Sequence, residues 1–168
     1  MADIDDLIAR MDRWLATYRP DYYALLRPGA TDAQLDAFDA RFSLRLPDAF
    51  RQLYRWRNGQ DPMSFNPLQM NWTFSTIEEI TETKDLLDGM IGSDFDEPTY
   101  WRRGWVPFLH NGGGSHLCLD VAAEDGGTPG QLIGFWKADQ DRPIEFPTLE
   151  AWLEELVSSM EDGSLELV

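Results

Sequence analysis

The stretch between residues 104 and 136 constrains the fold more than any other part of the chain. It contains three apolar-rich segments, which are residues 105–110, 115–121 and 131–136. A turn with three consecutive glycines separates the first two, and a longer loop precedes the third, so the pattern predicts an antiparallel meander. In the middle segment Leu117, Leu119 and Val121 fall on alternate positions and share one face of the predicted strand. We therefore expect helices to cover that face of the sheet.

Helical patterns fill most of the remaining sequence. We predict helices at residues 4–18 (ended by Pro20), from Thr31 (with Gln34 completing a capping box), from Pro47 to Gly59, from Ser75 (with Glu78 as its capping partner) and from Thr148 to Gly163. A short strand is expected near residues 72–74. The length suits one sizeable core, so we predict a single α+β domain over residues 1–168, with a mostly antiparallel central sheet wrapped by about five helices.

The net charge of −16 is unevenly distributed along the sequence. Residues 1–60 contain nine arginines and nine aspartates, whereas residues 61–168 contain 21 acidic and five basic residues. An acidic surface disfavours binding to nucleic acid or anionic membranes and attracts basic proteins. Solubility alone is the commoner reason for an acidic composition, so charge by itself does not identify a basic partner.

The compartment is predicted from what the sequence lacks. The first residues carry acids where a signal peptide carries lysines, and nowhere do about 18 apolar residues follow one another. The single cysteine, Cys118, has no partner for an internal disulfide and fits a reducing compartment. We predict a cytoplasmic protein without a membrane partner, present as a monomer or weak homodimer.

The best candidate for a binding surface is an acidic helix followed by an acidic and aromatic loop. The solvent face of the helix near residue 77 is expected to carry Glu78, Glu79, Glu82, Asp85 and Asp88, opposed by Lys84. In the loop that follows, charges would steer a basic protein and aromatic rings would anchor it. The predicted partner-binding residues are Glu82, Asp85, Asp94, Asp96, Glu97, Tyr100 and Trp101. The alternative is an ordinary surface loop whose rings fold inward.

Catalytic and metal sites are weaker interpretations of this sequence. Four side chains with suitable chemistry lie close together, namely His110, His116, Cys118 and Asp120. Alternate residues of one strand are roughly 6.5–7 Å apart, however, which is awkward for ligands of one zinc ion. A cysteine within a strand is more often a buried apolar residue than a nucleophile, and the glycine turn joins strands rather than opening a helix as phosphate loops do. We predict no catalytic residue, metal or cofactor.

Three motifs, taken in order, resemble the SUKH superfamily. They are the capped helix and Leu46-Pro47 helix ending in Asn58-Gly59-Gln60, the run from Trp105-Val106-Pro107-Phe108 to Leu117-Cys118-Leu119-Asp120, and Gly130-Gln131-Leu132-Ile133 followed by a helix over residues 146–157. The resemblance spans about residues 28–158, with residues 1–27 expected as an N-terminal helix packed on that part. The chain departs from the usual pattern at Phe42-Ser43, where the family shows leucine-glycine.

The resemblance implies an α+β fold and a protein that binds other proteins. The members of the SUKH superfamily include bacterial toxin-immunity proteins and the Smi/Knr-type regulator of fungal cell-wall synthesis. It also implies fold-forming roles at Pro47, Gly59, Trp105, Gly113, Asp120 and Gly130. Asp120 closes a strand, and we expect its carboxylate to accept hydrogen bonds from the loop that follows.

The leading hypothesis is a cytoplasmic immunity protein that neutralises a cognate toxin, a nuclease or other intracellular enzyme, by blocking its active site or substrate groove. A regulatory or scaffold module that binds cellular proteins is the alternative. A hydrolase or metal-binding enzyme that uses the His110–Asp120 region is a third hypothesis.

Overall fold

The computed structural model describes residues 3–95, 97 and 99–167. Within them the helices are α1 (Ile4–Tyr18), α2 (Pro20–Tyr23), α3 (Asp32–Phe42), α4 (Asp48–Trp56), α5 (Ile77–Gly89) and α6 (Leu149–Asp162). The strands are β1 (Leu26–Pro28), β2 (Arg57–Gln60), β3 (Thr73–Phe74), β4 (Trp105–His110), β5 (His116–Asp120), β6 (Gln131–Phe135) and β7 (Ile144–Phe146). The predicted α+β class is confirmed.

The larger sheet has the strand order β3-β4-β5-β6-β7, and every neighbouring pair is antiparallel. Its three central strands are the predicted meander. The glycine turn places His110 opposite His116, and the next connection places Asp120 opposite Gln131. A second sheet joins β1 and β2, which the sequence did not predict as strands.

One face of the larger sheet packs against α1, α4 and α6 and forms the main core, which includes Val106, Phe108, Leu119 and Leu132 of the sheet. Phe108 lies at its centre. The ring of Phe108 packs edge-on against Phe50 of α4 at 5.7 Å and against Trp152 of α6 at 5.4 Å between ring centroids. Because the alternation in β5 points Leu119 toward these helices, the predicted helix-covered face is confirmed.

The opposite face of the sheet is also covered. A smaller group of buried side chains, here called the second core, consists of Trp101, Trp105, Cys118, Ile133 and Phe135. Leu87 of α5 packs against it, as do apolar residues of the segment at residues 90–103. The described residues of this segment therefore cover the second face of the sheet.

The start of α5 lies one residue later than predicted. Thr76, not Ser75, is the N-cap, and its side chain accepts a hydrogen bond from the amide of Glu79, whose carboxylate accepts one from the Thr76 amide. Ser75 cannot complete the capping box with Glu78, because its amide, which would have to donate to the Glu78 carboxylate, donates instead to the carbonyl of Phe108 and so extends the sheet. The capping box predicted for α3 is confirmed.

The end of α4 also differs from the prediction. The helix begins directly after Pro47 and ends at Trp56, so Gly59 lies in β2 and does not terminate the helix. Gly59 has a φ of +69°, and a Cβ there would lie 2.5 Å from the backbone nitrogen of Thr76. A glycine is needed at this position because β2 passes so close to the start of α5.

Candidate partner-binding surface

The predicted binding residues do not all lie at the surface. Glu82, Asp85, Asp94 and Glu97 are exposed, whereas Tyr100 is half-buried. Asp96 lies outside the described residues. Asp85 pairs with Arg41 of α3 through a bidentate contact, which reduces the charge it presents to solvent.

The prediction is wrong for Trp101, whose ring is only 1% exposed and belongs to the second core. Its Nε1 donates a hydrogen bond of 2.8 Å to Asp88 Oδ1. Asp88 and Lys84 are buried too, although the helical pattern predicted them on the solvent face of α5. These three side chains face inward because the 90–103 segment covers this side of the helix and supplies their polar partners.

A groove lies beside the exposed part of the segment, with a volume of about 530 Å³, and we call it the acidic groove. Its lining residues are Asp94, Phe95, Glu97, Thr99, Tyr100, Gln140 and Asp141. Three of them are carboxylates, and in the part of the chain that the structure describes none of these three forms an ion pair. The groove therefore presents three carboxylates that lie outside any described ion pair, next to aromatic rings.

The aromatic side of the groove is held in place by contacts with the sheet. Tyr100 packs against Phe95, with 4.6 Å between ring centroids, and edge-on against Phe135 of β6 at 5.3 Å. The Tyr100 hydroxyl donates a hydrogen bond of 2.9 Å to the carbonyl of Lys137. Since ring and hydroxyl are both engaged, Tyr100 forms a fixed wall and does not project freely into solvent.

Arg142 joins the two sides of the acidic groove. Its Nε donates to the carbonyl of Tyr100 at 3.0 Å, and its Nη1 donates to the carbonyls of Asp139 and Asp141 at 2.7 and 2.8 Å. The guanidinium lies over the rings of Tyr100 and Phe135, 4.6 and 4.4 Å from their centroids. Burial lowers the pKa of Arg142. This role could not be predicted from the sequence, because backbone carbonyls as partners leave no residue pattern and Tyr100 lies 42 positions away.

The residues considered for metal binding or catalysis are engaged in structural contacts instead. His110 Nδ1 accepts from the amide of Gly112, and its Nε2 lies 2.7 Å from the Thr73 hydroxyl. Burial and the neighbouring His110 lower the pKa of His116 to about 4. Burial raises the pKa of the Cys118 thiol far above its ordinary value, so the thiol is a poor nucleophile.

Asp120 has the role expected of it in the fold. Its Oδ1 accepts from the Ala123 amide at 2.9 Å, and its Oδ2 accepts from Gln131 Nε2 at 3.0 Å. The predicted bond from the loop to this carboxylate is thus confirmed. Gly130, with a φ of +93°, donates its amide to the carbonyl of Asp120 and closes the same loop. Both carboxylate oxygens of Asp120 thus help to hold the loop that follows β5.

The glycine turn uses its three glycines unequally. Gly112 and Gly114 have φ angles of +78° and +97°, which favour glycine, whereas Gly113 does not have a positive φ. The side chain of Asn111 accepts hydrogen bonds from the amides of Gly113 and Ser115. Gly113 therefore contributes to the turn through its amide and not through a special backbone conformation.

Among the described residues, no helix combines the length and the apolar character needed to cross a bilayer.

Comparison with known proteins agrees with the three sequence motifs. The family model described as SMI1 / KNR4 family (SUKH-1) matches residues 29–155 of the chain. The cell wall biosynthesis/cell cycle regulator smi1 of Schizosaccharomyces pombe is 25% identical over 92% of this chain and 35% of its own length. The KNR4/SMI1 homolog 2 of Debaryomyces hansenii is 23% identical over 99% of this chain and 37% of its own length. The chain thus spans about a third of the length of these curated relatives.

Proposed function

Since the chain belongs to the SMI1 / KNR4 family (SUKH-1), we propose that it is a protein-binding module, and specifically an immunity protein that neutralises a basic toxin. Binding is stoichiometric and covers the toxin's active site or substrate groove. The sequence resembles the SUKH superfamily, whose bacterial members include toxin-immunity proteins, and this supports a toxin as the partner. The charge excess beyond residue 60 supports a basic binding face on that partner.

The observation that carries this proposal is the acidic groove. Asp94, Glu97 and Asp141 present three carboxylates without an ion-pair partner among the described residues, next to the rings of Phe95 and Tyr100. The carboxylates steer a basic toxin toward the groove and pair with its lysines or arginines. The aromatic wall adds contact area.

The wider surface extends from the groove onto α5. Glu82 and Asp85 of α5 and Asp94 and Glu97 of the 90–103 segment form the described part of the proposed acidic face. The sequence prediction adds Asp96, which lies outside the described residues. Spaced carboxylates of this kind mimic a phosphate backbone toward a nuclease. Asp85 contributes less than the others because Arg41 already neutralises part of its charge.

Charge reversal tests the proposed face. The tagged chain is co-expressed with the product of the gene next to its own, and complex formation and cell growth are measured together. We expect a one-to-one complex that restores growth. A variant with Asp94→Lys, Glu97→Lys and Asp141→Lys should lose at least about tenfold in association rate, because steering depends on these charges.

A matched control reverses three exposed acids at and beyond α6: Glu154→Lys, Glu155→Lys and Glu166→Lys. This variant has the same net charge as the groove variant, so a general loss of negative charge affects both alike. Equal association rates for the two variants would contradict the proposed face. A groove variant that still binds and protects like the original chain would do so as well.

The second candidate is a regulatory module that binds cellular proteins, as the names of the two fungal relatives suggest. It predicts no protection against a toxin. The regulatory module is favoured if the product of the adjacent gene forms no complex with the chain. In that case cellular proteins should co-purify with the original chain and not with the groove variant.

A further inference from the structure

A buried ion pair lies beneath the 90–103 segment. Lys84 is fully buried on α5, and its Nζ lies 3.2 and 3.1 Å from the two carboxylate oxygens of Asp88. The same Nζ donates to the carbonyl of Arg103. Asp88 Oδ1 also accepts the hydrogen bond from Trp101 Nε1. Two residues of the helix are therefore tied to two residues at the end of the segment.

This arrangement depends on the segment being closed. A buried charge is tolerated only when it is paired and hydrogen-bonded, and here the segment supplies one donor and one acceptor. On its remaining side Lys84 faces the ring of Phe42 at 5.0 Å, which cannot replace the Arg103 carbonyl. Opening the segment would remove both of these hydrogen bonds at once.

The covered face of the sheet contains the chain's single cysteine. Cys118 is fully buried in the second core together with Trp101 and Phe135. The main core lies on the other side of the sheet. Movement of the segment away from the sheet would therefore uncover Cys118 while leaving the main core intact.

We infer that Lys84, Asp88 and Trp101 form a clasp that positions the 90–103 segment and holds it closed over Cys118. The segment opens as a local unit, separately from global unfolding, and the clasp sets how often it opens. One consequence rests on the proposed function: Asp94, Glu97 and Tyr100 belong to this segment, so the clasp also presents the acidic groove in its binding geometry.

Cys118 allows the clasp to be tested in the free protein, without any partner. Its labelling by the thiol reagent DTNB is measured at constant pH and in low concentrations of urea. Asp88→Asn removes the charge that pairs with Lys84, and we expect labelling about ten- to a hundredfold faster. Because local opening exposes little surface, this faster labelling should depend only weakly on urea.

A matched control lies three residues earlier on the same helix. Asp85→Asn makes the same chemical change in an exposed ion pair outside the clasp, and its labelling rate should stay within about twofold of the original chain. The clasp is refuted if Asp85→Asn and Asp88→Asn label equally fast. It is also refuted if labelling in each variant only follows the free energy of global unfolding.

A second variant covers the case that Asp88→Asn does not fold. Lys84→Met with Asp88→Leu replaces the ion pair by apolar side chains, an exchange that often leaves global stability unchanged. It still leaves Trp101 Nε1 and the Arg103 carbonyl without their partners, so labelling should again accelerate about tenfold. Unchanged labelling in this folded variant would refute the clasp.

The clasp and the proposed function can fail separately. If no partner forms a complex with the chain, the labelling rates still decide the clasp. If labelling does not respond to the clasp variants, charge reversal in the groove still decides the binding face. When both hold, Asp88→Asn should weaken binding although Asp88 is buried and does not touch the partner.

Discussion

Lowering the pH from 7 to 5 is expected to destabilise the protein by about 2 kcal/mol through one side chain, His116. His116 lies on β5 beside Phe135, with 6.0 Å between ring centroids, and its Nδ1 is buried without a hydrogen-bond partner among the described residues. Burial is the main reason that its pKa falls to about 4, and the nearby His110 adds to the effect.

The sign of the effect follows from the two pKa values of His116. In the unfolded chain the imidazole has its ordinary pKa of about 6.5, so at pH 5 the unfolded state binds a proton that the folded state does not. The contribution of His116 to the free energy of unfolding is therefore largest above pH 6.5 and decreases until the pH falls below about 4. Burial also lowers the pKa of His110, which acts in the same direction.

Urea denaturation at pH 7 and pH 5 measures this effect in the original chain and in His116→Leu. Most carboxylates titrate below this range and affect both proteins alike, so the difference between them isolates His116. We expect the variant to lose about 2 kcal/mol less than the original chain between the two pH values. Equal losses would show that the folded state protonates His116 at its ordinary pKa and would refute the argument.

Two further predictions concern the backbone and the loop after β5. Gly59→Ala should lower the free energy of unfolding by about 2–4 kcal/mol, because the added Cβ would meet the backbone of Thr76 at a positive φ. Gly163 also has a positive φ but borders open space, so Gly163→Ala should lower it by only about 1 kcal/mol in the same urea titration. Similar losses at both glycines would argue against the steric contact. Asp120→Ala should cost about 1–3 kcal/mol by leaving two amide donors unpaired, and exposed Asp139→Ala, with less than about 0.5 kcal/mol, serves as its control.

The central strands could be predicted from sequence because their signals are local. Alternation along β5 indicates which side chains face the main core, and the glycine turn fixes the pairing of β4 with β5. Local signals are ambiguous where two neighbours offer the same chemistry. Ser75 and Thr76 are both followed three residues later by a glutamate, and only the hydrogen bond from the Ser75 amide to β4 decides between them.

The inward orientation of Lys84 and Asp88 could not be predicted, because charged residues in a helical pattern normally mark the solvent face. Their burial depends on Trp101 and the Arg103 carbonyl, which are distant in the sequence and carry no periodic signal. The same reason explains why Trp101 was predicted as a contact residue. In a loop that mixes acidic and aromatic residues, either type of side chain can face inward. Which type does so depends on hydrogen-bond partners elsewhere in the fold.

The placement of the basic side chains affects the electrostatic field that a protein partner encounters. Beyond residue 60 the chain has five basic residues, and Lys84 is fully buried while Arg142 is engaged by backbone carbonyls and aromatic rings. Arg102 pairs with Asp125. Much of the positive charge that would offset the acids of this region is therefore inside the fold or already paired. Each ion pair also cancels one acid, so the excess of acids in this region is unchanged, and the carboxylates of the acidic groove carry part of that excess at the surface. Association with a basic protein should therefore slow steeply as salt is added.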